Sequence, residues 1–434
     1  MNQSFIEQSY PTNFKSQDAK QLGELVRTRH SVELVGMKRV GISNFLRFFL
    51  YHRDIVKTYI NHGEKHLFIP VDLNDLVEIN AFPFWILTLK RIADAVENST
   101  LDPKTKEAVS AVFLNCIQSK DLFMTVDGIR QVLNLIVSQE MIPTIFFLRF
   151  DRVKDLVTDE FFANLQGLID SSAGKLAYVF TGSRTLDIIA PTVFTRKSLL
   201  GFSHIMNVKP ADNTDIKIIF ETFESRYNTS PSQKVLDRLI ALSGGHVQYL
   251  QLCLIATKES SLKTEAELLN YLQEAIFQDE RINLQSEEIW ESLSSGEQEI
   301  LKKILNNQKI SEEDKHEGRY LWDTGIIKEE AEVITIFSPL FDDYLKRHHR
   351  VTKTEKAAEL TKKESLLFNL LKENLDQVCE RDKIINAVWP EYEELGVSDW
   401  TIDRLVSRLR DKLKQQHSPY SLVTIKTRGY KLIS

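Results

Sequence analysis

Val32-Glu33-Leu34-Val35-Gly36-Met37-Lys38-Arg39-Val40-Gly41-Ile42-Ser43 is the stretch that decides how the first half of the chain is read. A short, largely β-branched run passes into a loop bracketed by two glycines, and a helical segment, Asn44 to Tyr51, follows. Strand, glycine loop and helix in that order is the setting of a phosphate-binding loop. Consecutive backbone N–H groups and a helix N-terminus form an anion cradle, and glycines let the backbone approach phosphate oxygens closely. Gly36 and Gly41 stand at the required spacing, and Ser43 keeps the hydroxyl that would reach Mg²⁺. Ile42 stands where the lysine of such a loop belongs, so the main cation for the β- and γ-phosphates is missing. Lys38 and Arg39 are the charges the loop itself offers, with Asn44 opening the helix.

Three further apolar runs read as buried strands: Leu67–Val71, Thr144–Phe150 and Leu176–Thr181. Strands alternating with long helices predict a parallel α/β sheet. The third run ends in Asp151, where a carboxylate would hold the Mg²⁺ of a bound nucleotide. Arg152 follows in place of the glutamate that activates water in hydrolysing relatives. The fourth ends in Thr181-Gly182-Ser183-Arg184, placing Ser183 and Arg184 where a γ-phosphate would be sensed. Beyond Leu200 strand signals nearly vanish, and Thr214–Arg226, Ser232–Leu242, Val247–Ala256 and Glu265–Phe277 read as successive amphipathic helices, with Gly244-Gly245-His246 before the third. A polar stretch, Gln278 to Glu288, leads to a helix over Ser294–Asn306 whose Ser294 and Glu297 have capping-box spacing. A small α/β unit then ends at Phe341–Arg350.

In these residues the chain resembles the AAA+-like P-loop ATPases of the STAND and origin-recognition type, over roughly Phe14 to Arg350. Thr181–Arg184 resembles the sensor strand end of that family, Gly244–His246 its lid sensor turn, and Ile326–Leu345, with Phe337-Ser338-Pro339-Leu340, the end of an attached winged helix. The resemblance implies ATP or ADP with Mg²⁺ as ligand, nucleotide-driven switching and self-assembly. Its nucleotide residues map to Gly36, Lys38, Arg39, Gly41, Ser43, Asn44, Asp151, Ser183 and Arg184, with Ser43 and Asp151 on the metal. Ile42 and Arg152 remove two groups needed for turnover, so an efficient enzyme is not expected.

The C-terminal region reads differently. Leu360-Thr361-Lys362-Lys363-Glu364 opens a helix with Leu366, Leu367, Leu370 and Leu371 on one face, and a second helix runs from Arg381 to Trp389. A third starts at Asp399-Trp400-Thr401 and reaches about Lys414, burying Ile402, Val406, Leu409 and Leu413. Its other face carries Thr401, Arg404 and Arg408, with Ser407, Lys412 and Lys414 beside them, the hydrogen-bonding and cationic surface of a helix that enters a major groove. Leu422–Ile425 and Tyr430–Ile433 predict a β-hairpin, a wing, around Lys426-Thr427-Arg428-Gly429. The net charge of −6 therefore resides elsewhere in the chain, because basic side chains outnumber acids from Ser398 onward.

This segment resembles the OmpR/PhoB-type winged helix of bacterial response regulators in Leu360–Glu364, Ala387-Val388-Trp389, Thr401-Ile402-Asp403, Ser407–Leu413 and Gly429-Tyr430. The resemblance implies that Trp400, Thr401, Arg404, Ser407 and Arg408 lie nearest double-stranded DNA, and that Arg428 reaches the minor groove from the wing. Thr427 departs from the pattern, standing where the family usually has its first wing glycine. No receiver domain precedes the winged helix in this reading, so phosphorelay control is not expected.

With 434 residues, 42% hydrophobic and 27% charged, the composition is that of a soluble, multidomain globular chain. No apolar run approaches the roughly 20 residues that cross a bilayer, and the polar N-terminus lacks a secretory h-region, so a cytoplasmic protein without membrane association is expected. Cys116, Cys253 and Cys379 are too scattered for a disulfide framework or a structural metal. The expected architecture is an α/β P-loop parallel-sheet domain (1–204), an α-helical lid (205–285), a first winged helix (286–350), a linker (351–359) and a DNA-binding winged helix (360–434). The expected function is transcriptional regulation on DNA, with a homo-oligomer as a plausible form. The alternatives are a working ATPase that loads or remodels complexes on DNA and a non-enzymatic scaffold.

Overall fold

The computed structural model describes residues 5–60, 63–194, 202–331, 333–349, 360, 362–389, 399–415, 418–425 and 428–433. They form two compact units, Met1–Arg350 and Val351–Ser434. The 351–359 linker expected above falls outside the described residues.

The larger unit is built on a five-stranded sheet of β1 (Ser31–Val35), β2 (Lys65–Asp72), β3 (Met141–Leu148), β4 (Ala177–Gly182) and β5 (Ser203–Asn207), in the order β2-β3-β4-β1-β5. Every pairing is parallel. Side chains alternate between faces along each strand, and the two cores divide on that period. Phe146 and Val179 point into one core with Val32 and Leu34, against the helices Ser16–Arg27 and Ile42–Tyr51. Ile145, Phe147, Tyr178 and Phe180 point into the other, against Ala81–Glu97, Leu122–Ser138 and Asp159–Ser171.

The fifth strand lies just beyond Leu200, where the strand signal nearly vanishes and helices are expected. Ser203-His204-Ile205-Met206-Asn207 lies at the sheet edge with only Met206 buried, so it lacks the apolar run that marks central strands. It is fixed through Glu33, whose carboxylate accepts bonds from Ser203 Oγ at 2.5 Å and from the Leu186 amide at 2.7 Å. Burial raises the Glu33 carboxyl above its ordinary range, with the two donors opposing that shift.

Helices Asn213–Tyr227, Gln233–Ser243, Val247–Glu259 and Glu265–Gln273 follow the sheet. The stretch expected to be a polar connector is instead a helix, Glu280–Glu291, held by the sparse apolar set Ile282, Ile289 and Trp290 and capped by Asp279. Next come Ser295–Leu305, Glu312–Glu317, Arg319–Asp323, the hairpin β6 (Ile327–Glu330) with β7 (Val333–Ile336), and Pro339–His348: helices and a hairpin in winged-helix order. The capping box of Ser294 and Glu297 is present. One continuous core runs from the sheet face through Leu250 and Cys253 to Phe337, Leu340 and Phe341. The helices after the sheet and the helix–hairpin segment beyond them therefore share burial with the parallel sheet.

The smaller unit holds Lys362–Glu373, β8 (Val378–Cys379), Arg381–Val388, Asp399–Gln415, β9 (Ser421–Ile425) and β10 (Gly429–Ile433). The two wing strands pair antiparallel, and β8 adds a third strand beside β10. Leu367, Leu371, Ile384, Ile402, Leu409 and Leu432 meet in its own core.

Candidate functional site

The residues expected above to form a phosphate site converge at the C-terminal ends of β1, β3 and β4, as parallel neighbours must. Gly41 caps the helix Ile42–Tyr51 at φ 118°, a left-handed conformation that glycine adopts without strain. Lys38 does turn inward, its Nζ lying 3.2 Å from Asp151 Oδ2. The Ser183 hydroxyl donates to the same oxygen at 3.2 Å. The glycine loop, Asp151 and the end of β4 are thus brought together.

Their partners change what they can do. The Arg39 guanidinium binds Glu288 Oε2 at 2.8 Å. Arg184 makes a two-point pair with Glu297, at 2.7 and 2.6 Å, also donates to the Ser292 carbonyl, and lies 3.8 Å over the Tyr320 ring. Burial alone would lower the Arg184 guanidinium, but the Glu297 carboxylate outweighs it and the group titrates above its ordinary value. Asn44 donates its amide to the buried Glu7 carboxylate at 3.2 Å. Ile42 is half-buried against the apolar core, and Ser43 is exposed at the start of its helix.

The turn Gly244-Gly245-His246 carries no cation toward the loop. His246 Nδ1 accepts from the Tyr249 amide at 3.3 Å, so its proton resides on Nε2, which donates to the Lys38 carbonyl at 2.8 Å. Burial lowers the ring to about 4, so it is neutral at physiological pH. The next residue, Val247, presses on the loop: a Cβ on Gly41 would sit 2.6 Å from Val247 Cγ2. A Cβ on Gly244 would sit 2.0 Å from the Phe337 carbonyl oxygen. The glycine turn is a packing point for the lid and first winged helix.

These residues do not fit a metal-bound nucleotide. The lysine position is apolar, the metal's acid is held by an ammonium and a hydroxyl of the same unit, and Arg39 and Arg184 are committed to carboxylates. Among the described residues no group of three or more His, Cys, Asp or Glu side chains could hold a metal ion.

In the smaller unit the helix Asp399–Gln415 buries Ile402, Leu405, Val406, Leu409 and Leu413 and leaves Arg404, Ser407 and Arg408 half-buried on its remaining surface. Burial lowers the Arg408 guanidinium to about 10, which leaves it cationic at neutral pH. Arg428, in the turn between β9 and β10, is exposed. The side chains of Trp400 and Thr401, and residues 426–427 of the wing, lie outside the described residues.

Lys412 Nζ pairs with Glu364 Oε2 at 2.6 Å, and that carboxylate is 1% exposed, so the pair anchors the third helix to the first. Arg410 is structural in the same way, donating to the Leu422 carbonyl at 2.8 Å and to Thr424 Oγ1 at 2.9 Å. Asp403 accepts from the Tyr430 hydroxyl and pairs with Arg381 at 2.7 Å, tying the helix to the wing strand and to the helix before it. Asp403 and Glu364 stand in the motifs quoted above, but their partners lie up to 48 residues away and no spacing marks them.

Residues 355–432 match the family model described as "Transcriptional regulatory protein, C terminal". The transcriptional regulatory protein YxdJ of Bacillus subtilis is 32% identical over 78 residues, 18% of this chain and 33% of that protein. The transcriptional regulatory protein ResD of the same organism is 36% identical over 100 residues, 23% of this chain and 40% of that protein. The chain thus spans between a third and two fifths of these relatives. Among solved structures, the Walker-type ATPase PABY2304 of Pyrococcus abyssi matches with a TM-score of 0.47 and 15% identity, covering 76% of this chain and 95% of that one. Among the described residues, no helix is long and apolar enough to cross a membrane.

Proposed function

We propose that this chain is a transcriptional regulator that binds duplex DNA through its C-terminal winged helix. The observation that carries the reading is the helix Asp399–Gln415: one face closes the domain core, the other presents Arg404, Ser407 and Arg408, and a wing with exposed Arg428 follows in the segment that matches the regulatory family. In this reading Arg404, Ser407 and Arg408, with Trp400 and Thr401 as the resemblance implies, contact base edges and phosphates in the major groove, and Arg428 enters the minor groove. Cationic contacts of this kind supply salt-dependent affinity, and the few that reach base edges supply sequence discrimination.

The larger unit is a regulatory or assembly body that controls the winged helix, not an engine. Ile42 and Arg152 occupy the positions of the groups that would drive turnover, and Asp151 is engaged by Lys38 and Ser183. Assembly of copies on paired half-sites is part of the same proposal. The test is selection from random-sequence duplexes with the full chain and with Arg404→Ala/Arg408→Ala. Enrichment of a motif that the double variant fails to enrich supports the reading. Weak, motif-free binding that is unchanged by the substitutions overturns it in favour of a scaffold.

A further inference from the structure

We propose that the first winged helix closes the phosphate cleft with its own carboxylates, Glu288 on Arg39 and Glu297 on Arg184, so that the larger unit is held by an internal latch and not by a bound nucleotide. The inference concerns only this unit and stands apart from the DNA-binding reading.

The pairs match one to one. Among the described residues, Lys38, Arg39 and Arg184 at the loop and the β4 end each meet a carboxylate of the same unit: Asp151, Glu288 and Glu297. A phosphate entering here finds a locally neutral cleft in which Ile42 supplies no charge. Two of the three acids lie outside the P-loop sheet. Glu288 is on the helix Glu280–Glu291 and Glu297 on Ser295–Leu305, so each pair crosses from the sheet to the segment beyond the lid.

The Arg184 side of the latch is the tighter. Its Nε reaches the Ser292 carbonyl at 3.2 Å, Nη1 reaches Glu297 Oε1, and Nη2 reaches both Glu297 Oε2 and the Ser292 carbonyl, so all three nitrogens have acceptors. Glu297 Oε2 also accepts from the Ser294 amide at 2.8 Å as the return half of the capping box. One carboxylate therefore starts a helix and holds the sensor-strand arginine at once. A carboxylate tethered at such a high effective concentration disfavours displacement by a free anion. The neutral His246 adds a third crossing, from the lid to the Lys38 carbonyl, and involves no charge that a phosphate would recruit.

The experiment is thermal unfolding of the full chain, read for the transition of the larger unit, in buffer with EDTA and with millimolar ATP or ADP plus Mg²⁺. A ligand specific for the native state must raise the midpoint; the latch predicts no shift for the wild type. Arg184→Met should lower that midpoint by about 5 °C, because it strands a buried carboxylate. The exposed side of the latch gives a variant that folds whatever Arg184 does: Arg39→Glu should lower the midpoint by about 2 °C, and Arg39→Glu/Glu288→Arg should recover it. A rise in the wild-type midpoint with either nucleotide overturns the proposal, and so does a double variant no more stable than the single one. Either failure leaves the DNA-selection result untouched, so the two readings fall separately.

Discussion

The glycine loop of the larger unit, with the strand ends beside it, and the third helix of the smaller one both attract attention in the sequence through basic residues, yet the fold treats the two sets differently. Around the loop, Lys38, Arg39 and Arg184 are turned onto Asp151, Glu288 and Glu297, and the charges serve to join parts of one compact unit. On the helix Asp399–Gln415 the charges divide. Lys412 and Arg410 are bound into the domain, whereas Arg404 and Arg408 share the surface opposite the buried stripe and Arg428 is exposed on the wing. A count of cations does not identify a ligand site, because the groups that engage them are distant in sequence.

The contrast can be broken most directly at Arg404 and Arg408. Replacing both with alanine, at a temperature where the smaller unit stays folded, should weaken specific DNA binding by at least about 30-fold, since a good base contact contributes about 1–3 kcal/mol of discrimination. Calorimetry and a binding titration on the same sample separate loss of binding from loss of folding. If Lys412 is structural, Lys412→Met behaves in the opposite way. It strands the buried Glu364 carboxylate and should destabilise the smaller unit by about 3 kcal/mol, as breaking a buried pair does. At temperatures where that unit stays folded, the salt dependence of DNA binding should be unchanged.

A pH titration sharpens the larger unit's side of the comparison. His246 is held down to about 4 in the folded protein against an ordinary value of 6.5. Between those values the unfolded chain binds a proton that the folded chain excludes, so stability falls as pH drops from about 6.5 toward 4, by about 1.4 kcal/mol per pH unit for this one group. His246→Gln keeps a donor for the Lys38 carbonyl but cannot titrate, so its acid limb should be flatter when unfolding is followed across that window. The smallest expected effect is at the wing. Arg428→Ala should weaken binding almost uniformly across sequences, within about tenfold, and reduce the salt slope by about 1.

How legible each region was in the sequence follows from the range of the interactions that shape it. The interior strands β1, β3 and β4 are read from local runs, because a strand buried on both faces is mostly apolar, and β2, at the other edge, is read from the alternation of Leu67, Ile69 and Val71. β5 is not, because at an edge Ser203, His204 and Ile205 need no burial. The helix Glu280–Glu291 looks like a connector because only Ile282, Ile289 and Trp290 among its large apolar side chains are buried, too few to show a stripe. The phosphate-loop residues were found by spacing, and the fold does gather Lys38, Asp151 and Ser183. What spacing could not give was their occupation. Glu297 lies 113 residues from Arg184, and Glu288 lies 249 residues from Arg39. Nor does spacing show the partner of Lys412, since Glu364, 48 residues earlier, reads locally as one more helix charge. The helix Asp399–Gln415 is legible because its periodicity is local and its buried stripe leaves a single face for any partner.

The measurement that bears most directly on the central claim is the affinity of the full chain for a duplex recovered by selection, set against a shuffled duplex at the same salt, for the wild type and for Arg404→Ala/Arg408→Ala. The account predicts a preference of about 10³-fold or more in the wild type that collapses in the double variant while the weak, salt-dependent affinity for the shuffled duplex survives. A wild type that does not distinguish the two duplexes, or a double variant that keeps the full preference, would contradict it.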